Sequence, residues 1–212
     1  MTPSVKICGL TRPQDIEAAI GAGASYLGFI VEAASPRKLT VREAAALSRP
    51  AKGISKTVAV TVNADDDLIR NIAKVMQPDF IQLHGDEDLH RAAQIRKLSG
   101  AGIIKAIKIR AREDFKIAET FSGIADFILY DAPPPRGSAV QGGHGTAFDW
   151  SVLKSAPLPK LWALAGGITP DNARKAAATG VPILDVSSGV EASPGVKDAA
   201  KIEALLKAMH NG

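Results

Sequence analysis

Two residues of this sequence have side chains suited to proton transfer, and each follows an apolar run. Cys8 is the only thiol in the chain, and Asp131 closes the apolar run at residues 127–130. A thiolate can act as a general base or a nucleophile when positive charge lies nearby, and Lys6 shares the predicted strand face of Cys8. A desolvated carboxyl group can donate a proton at neutral pH. A buried cysteine is also commonly inert, and an aspartate at this position can simply cap a loop.

Four other short segments carry groups suited to binding anions. Arg37 follows a proline, where its planar fork could bind a carboxylate or could lie in solvent beside Lys38. His84 could hydrogen-bond a ligand or the local backbone. The pairs at residues 166–167 and 188–189 combine glycine with backbone N–H groups and a serine hydroxyl. They could hold a phosphate or could simply form tight turns.

The elements that must position these groups follow one repeated pattern along the whole chain. Short apolar runs alternate with helical stretches of about a dozen residues, so the sequence predicts a parallel sheet. The predicted strands are residues 5–8, 26–31, 57–62, 80–84, 103–109, 127–131, 161–165 and 183–186. Eight units favour a single-domain (β/α)₈ TIM barrel over residues 1–212, because an open doubly wound sheet usually has fewer strands and an early glycine-rich turn.

Three helix starts are also predicted from local sequence. Thr40 and Glu43 have the spacing of a capping box, and residues 65–67 place carboxylates at the start of the next helix. Thr169 followed by Pro170 predicts an N-cap before a proline at the first helical position. The Pro/Gly-rich segment 133–145 is interpreted as a mobile active-site loop after the sixth strand. In a barrel, chemistry collects at the carboxyl ends of the strands, where all the candidate segments are predicted to lie.

Composition excludes several classes of protein. The net charge of +4 is too small for a clustered basic surface, so no nucleic-acid partner is expected. The longest apolar stretch, residues 20–31, is too short to cross a bilayer, and no signal peptide is recognised. One cysteine excludes an internal disulfide or cysteine-cluster metal site, and the four histidines lack metal-ligand spacing. We expect a cytoplasmic protein without a metal.

Seven segments, taken in order, closely resemble the phosphoribosylanthranilate isomerases of tryptophan biosynthesis. They are residues 5–11, 35–37, 82–85, 148–150, 164–168, 185–191 and 194–198. The resemblance therefore covers essentially the whole chain. It implies a (β/α)₈ barrel and a cofactor-free Amadori rearrangement of a phosphosugar, N-(5-phosphoribosyl)anthranilate, to 1-(2-carboxyphenylamino)-1-deoxyribulose 5-phosphate.

The resemblance also implies roles for individual residues. Cys8 matches the general base, Asp131 the general acid, and Arg37 the group that meets the anthranilate carboxylate. The remaining substrate-binding candidates are His84, Gly143, Gly167, Ser188 and Gly189, the last four as phosphate-binding positions. In one departure from the family pattern, the loop at residues 142–150 lacks the usual basic residue.

Two alternatives remain open at this stage. One is another phosphosugar isomerase or synthase on the same barrel, such as the histidine-pathway isomerase or a thiamine-phosphate synthase. The other is a non-enzymatic ligand-binding barrel, which predicts a broken catalytic pair. The sequence contains no interface signature, so both a monomer and a homodimer are possible.

Overall fold

The computed structural model describes residues 2–121, 123–132, 150, 153 and 156–210, and within them eight parallel strands close into a barrel in sequence order. The prediction of a (β/α)₈ barrel is confirmed. The strands are β1 (Ser4–Cys8), β2 (Tyr26–Glu32), β3 (Lys56–Thr61), β4 (Phe80–Leu83), β5 (Gly102–Lys108), β6 (Phe127–Asp131), β7 (Trp162–Leu164) and β8 (Ile183–Val186). Their limits agree with the predicted ones to within one residue at each end.

In the described part of the chain, helices on the outside of the barrel connect successive strands from β1 to β6 and from β7 to β8. Those in the described residues are α1 (Pro13–Gly21), α2 (Val41–Ser48), α3 (Asp66–Asn71), α4 (Leu89–Ser99), α5 (Phe115–Thr120), α6 (Ala173–Ala177) and α7 (Ala199–His210). After β8 the chain also forms a small antiparallel pair, β9 (Glu191–Ser193) with β10 (Val196–Lys197). No helix in these ranges is long and apolar enough to span a bilayer.

Two of the three predicted helix starts are confirmed. Thr40 and Glu43 form the reciprocal capping box of α2, and the Asp65 side chain accepts a hydrogen bond from the Leu68 N–H at the start of α3. The prediction for Thr169 is wrong, because α6 begins only after a turn, with Asn172 as its N-cap residue. The Asn172 side chain instead bridges the Thr169 N–H and the Gly167 carbonyl, which ties down the loop after β7.

The barrel interior is closed at one end and open at the other. The first residues of β2, β4 and β6 are Tyr26, Phe80 and Phe127, whose ring centroids lie 5.8–6.1 Å apart. Above them, a small apolar core fills the barrel, and a larger one lies between the strands and the helices. The aromatic trio fills the amino end, so the free space lies at the carboxyl ends of the strands.

Candidate active site

A cavity opens at the carboxyl ends of the strands. Seven of the eight residues predicted from the sequence line it: Cys8, Arg37, His84, Asp131, Gly167, Ser188 and Gly189. Gly143 and the predicted loop 133–145 lie outside the described residues. The roles assigned to these residues stay predictions, but the structure does bring the seven to one place.

Cys8 is the last residue of β1 and lies opposite Gly28 of β2 in the barrel register. A Cβ added at Gly28 would be 2.8 Å from Cys8 Sγ and 3.2 Å from Lys6 Nζ, so the thiol and this ammonium group border the same small space. Burial raises the pKa of the Cys8 thiol above its ordinary value. The Lys6 charge opposes that rise, and Asp185 reinforces it.

Lys6 is completely buried in the barrel and forms an ion pair with Asp185 of β8, at 2.9 Å between Nζ and Oδ1. The two residues are register partners of neighbouring strands. Burial opposes the charge on Lys6, but the carboxylate of Asp185 raises its pKa above the ordinary value. Lys6 is therefore an ammonium ion in the folded protein.

Asp131, at the end of β6, lies beside His84. The distance from His84 Nε2 to Asp131 Oδ2 is 3.3 Å, although the two groups are not aligned for a hydrogen bond. On its other side, His84 Nδ1 lies 2.8 Å from Gln82 Nε2. Sequence reasoning did not single out Gln82, whose buried Oε1 has no hydrogen-bond partner in the described part of the chain. This oxygen remains available to a donor in the cavity.

Arg37 already has a carboxylate partner within the protein. Its Nε and Nη2 each donate to Glu191, at 2.7 Å, and Lys197 Nζ donates to the same carboxylate at 2.8 Å. Burial opposes ionisation of Glu191, but hydrogen bonds from Arg37 and Lys197 lower its pKa below the ordinary value. From the residues alone, Arg37 could bind a ligand carboxylate or lie in solvent, and the resemblance implied contact with the anthranilate carboxylate. Only Nη1 is outside the hydrogen bonds to Glu191, so a ligand would be met by one edge of a fixed guanidinium.

The loops after β7 and β8 form a backbone cradle suited to an anion. Gly166 and Gly167 have φ values of +89° and +65°, a conformation that favours glycine. The backbone of Gly189 passes so close to Ile168 that a Cβ would be 1.8 Å from the Ile168 carbonyl oxygen. The N–H groups of Gly167, Ser188 and Gly189 donate to no backbone oxygen of the described residues. Such unpaired N–H groups are the donors that phosphate requires.

Metal binding has no comparable support in this region. Within the described ranges, no three His, Cys, Asp or Glu side chains converge as metal ligands. The polar groups that line the cavity are instead suited to proton transfer and to anion binding.

A parallel barrel with proton-transfer groups and an anion cradle at its carboxyl ends places the chain in a class, the barrel enzymes that act on phosphorylated small molecules. The family model described as N-(5'phosphoribosyl)anthranilate (PRA) isomerase matches residues 5–208. The chain belongs to this family and is an isomerase, as the resemblance implied.

Individual relatives support the same assignment. The chain is 43% identical to N-(5'-phosphoribosyl)anthranilate isomerase of Agrobacterium fabrum, over 100% of this chain and 96% of that protein. It is similar to the phosphoribosyl anthranilate isomerase structure from Thermotoga maritima, with a TM-score of 0.87, 31% identity and coverage of 99% and 100%. A second isomerase structure, in complex with reduced 1-(o-carboxyphenylamino)-1-deoxyribulose 5-phosphate, matches with a TM-score of 0.83, 28% identity and the same coverage.

Proposed function

We propose that this chain catalyses the Amadori rearrangement of N-(5-phosphoribosyl)anthranilate to 1-(2-carboxyphenylamino)-1-deoxyribulose 5-phosphate, a step of tryptophan biosynthesis in the cytoplasm. Cys8 is the general base and Asp131 the general acid, and no metal or cofactor takes part. One observation carries the proposal: both groups line a cavity whose wall also contains the N–H groups of Gly167, Ser188 and Gly189, which donate to no backbone oxygen of the described residues. The ligand named for the related structure carries both a phosphate and a carboxyl group.

The proposed reaction needs one proton delivered and one removed. Asp131 protonates the furanose ring oxygen as the bond from that oxygen to C1′ breaks, and the nitrogen lone pair forms an iminium. The iminium acidifies the hydrogen on C2′. Cys8 thiolate removes this proton, and the electron pair returns to the nitrogen to give an enolamine. Loss of the enol proton and protonation of C1′ then give the ketone. Each positioned group contributes roughly 10²–10⁴-fold to the rate.

The base must be generated from a neutral thiol. Because burial raises the pKa of Cys8, the thiol is the resting form near neutral pH. The small fraction that ionises is a stronger base than an ordinary thiolate, since basicity rises with pKa. The acid is needed in its protonated form at the same time, so the cavity has to hold one proton on Asp131 while Cys8 gives one up.

The substrate is held at its two charged ends. The phosphate lies against the cradle of the β7 and β8 loops, while the anthranilate carboxylate meets the remaining edge of Arg37. Because Arg37 is fixed by Glu191, little side-chain entropy is lost when a ligand binds. His84 and Gln82 line the same cavity and are the side chains proposed to contact the sugar.

The test is the decay of substrate fluorescence in the presence of the intact protein and of Cys8→Ala and Asp131→Asn. We expect rapid decay with the intact protein and at least a 10²-fold loss in each variant. Product binding is largely kept, because these groups act mainly in the transition state. Gly21→Ala serves as a matched control, since a methyl group there meets nothing within 4 Å.

Two results would overturn the proposal. No decay with a folded intact protein would exclude this substrate and favour another phosphosugar. Normal turnover by Cys8→Ala would remove the thiol from the mechanism while leaving the substrate assignment in place.

A further inference from the structure

We propose that Lys6 is a positioning residue for Cys8: its ammonium group holds the thiol sulfur in place and provides the positive charge against which the thiolate forms. The inference rests on the proposed function, in which Cys8 is the base. It gives a functional reason for the complete burial of the charged Lys6 side chain in the barrel. A fully buried lysine is costly to a fold unless it is paired, and Lys6 has only one carboxylate partner in the described residues, Asp185.

The barrel geometry brings the ammonium group to the thiol. Lys6 and Cys8 are two residues apart on β1, so their side chains point to the same face of the strand. Gly28, the register partner of Cys8, has no side chain, and both Cys8 Sγ and Lys6 Nζ border the space that a Cβ would take. Any larger residue at position 28 would separate the two groups or displace them.

The two charges of the ion pair act on the thiol in opposite directions. A thiolate is stabilised by the positive charge of Lys6 and destabilised by the negative charge of Asp185. Asp185 keeps Lys6 charged and fixed, so that the ammonium group is available when the thiol ionises. Besides the ion pair of Lys6 and Asp185, four other charged or titratable groups surround the Cys8 thiol. They are the cations Lys197 and Arg37 and, in the cavity wall, His84 and Asp131.

The chain allows a direct measurement because Cys8 is its only cysteine. The rate of alkylation by iodoacetamide, followed by mass spectrometry as a function of pH, reports the ionisation of this thiol alone. Thiolate absorbance at 240 nm gives a second reading without a reagent. Neither measurement requires substrate or turnover, so both remain valid even if the proposed reaction is wrong.

Two single substitutions are expected to move the titration of Cys8 in opposite directions. Lys6→Met keeps a long unbranched side chain and removes the charge. We expect its titration midpoint to rise by about one pH unit or more, which is a tenfold loss of thiolate at pH 8. Asp185→Asn is expected to lower the midpoint, because Lys6 then has the thiolate as its nearest counter-ion.

Lys105→Met is the matched control. Lys105 is also a buried lysine in an ion pair, with Nζ 3.0 Å from Glu87 Oε2, but it lies on β5 and does not line the cavity. Its substitution is expected to destabilise the fold without moving the titration of Cys8. If Lys6→Met does not fold, the double variant Lys6→Met with Asp185→Asn leaves no unpaired buried charge. Its midpoint should also exceed that of the intact protein, because the ammonium group of Lys6 borders the same small space as the thiol.

Kinetics separate this role from a purely structural one. In Lys6→Met, kcat should fall at pH 8 and recover toward higher pH, with KM little changed. A structural defect would lower kcat at every pH. The inference is overturned if removal of Lys6 leaves the midpoint unchanged, or if both single variants shift it in the same direction. Shifts in opposite directions with full activity of Cys8→Ala would support the electrostatic coupling and overturn the proposed base.

Discussion

Gly28 fills the position beside Cys8 where no side-chain carbon fits unless the thiol moves. A Cβ would be 2.8 Å from Cys8 Sγ and 3.2 Å from the Cα of the same residue, whereas ordinary contact begins at 3.4 Å. The sulfur would therefore have to move by about 0.6 Å, and the backbone of β1 by a smaller amount. The φ angle of Gly28 is not positive, so alanine is compatible with the backbone itself.

This displacement should lower the stability of the fold only moderately but should slow the reaction strongly. Overpacking of this kind costs about 1–3 kcal/mol of stability. A misplacement of 1 Å in a reacting group can cost about 10²-fold in rate, so we expect Gly28→Ala to lower kcat by at least about tenfold. KM should change little, because the cradle proposed to hold the phosphate lies on the loops after β7 and β8.

The assay is the decay of substrate fluorescence under single-turnover conditions, with a thermal melt of each variant to establish folding. Gly21→Ala adds the same methyl group in open space at the end of α1 and should keep full activity. A folded Gly28→Ala protein with an unchanged kcat would refute the reasoning, since it would mean that the position of the thiol is not critical.

Three further predictions concern the buried ion pairs, pH and the anion cradle. Glu191→Gln leaves the buried cations Arg37 and Lys197 without their carboxylate partner. It should lower the free energy of unfolding, measured in urea, by about 3–5 kcal/mol. Because the pKa of Glu191 is lowered in the folded state, its stabilisation is complete above the ordinary carboxyl pKa and is lost as pH falls through the lowered value. An acid-unfolding curve unaltered in the variant would contradict this. Because burial raises the pKa of the Cys8 thiol, kcat measured by stopped flow should rise on the alkaline side of neutrality as Cys8 ionises. A kcat that stays constant from pH 6 to about pH 10 would exclude Cys8 as the general base. Gly189→Ala forces the backbone away from Ile168 and should weaken inorganic phosphate binding in calorimetry, whereas unchanged affinity would exclude this loop as the cradle.

Much of the site could be predicted because a parallel barrel brings the carboxyl ends of all its strands together at one end. Cys8, His84 and Asp131 each follow or end an apolar run, and the carboxyl ends of parallel strands meet at one rim. Their convergence on one cavity therefore follows once the eight runs are recognised. The capping box at Thr40 was equally predictable, since its hydrogen bonds join residues only three positions apart.

Two contacts around the site were not indicated by the sequence, one local and one distant. Thr169 and Pro170 have the sequence of a helix start, yet the chain turns there, and the Asn172 side chain bonds back to Thr169 and Gly167, three and five positions away. Arg37 was predicted either to bind a ligand carboxylate or to lie in solvent, and the sequence did not indicate that two of its nitrogens are bound to Glu191, 154 positions further along the chain. No periodicity in the sequence connects these two residues.

The sequence by itself determined the repeated strand–helix pattern, the closed barrel and the types of residue at its carboxyl rim, because these depend on local propensity and on the order of the strands. Only the tertiary structure decided which charges share the interior. Lys6 meets Asp185 across 179 positions because the barrel closes β1 against β8. The position of Lys6 on the same strand face as Cys8, in contrast, follows from the two-residue period of the strand. An ion pair of this kind depends on strand register and burial, neither of which is set by neighbouring residues in the chain.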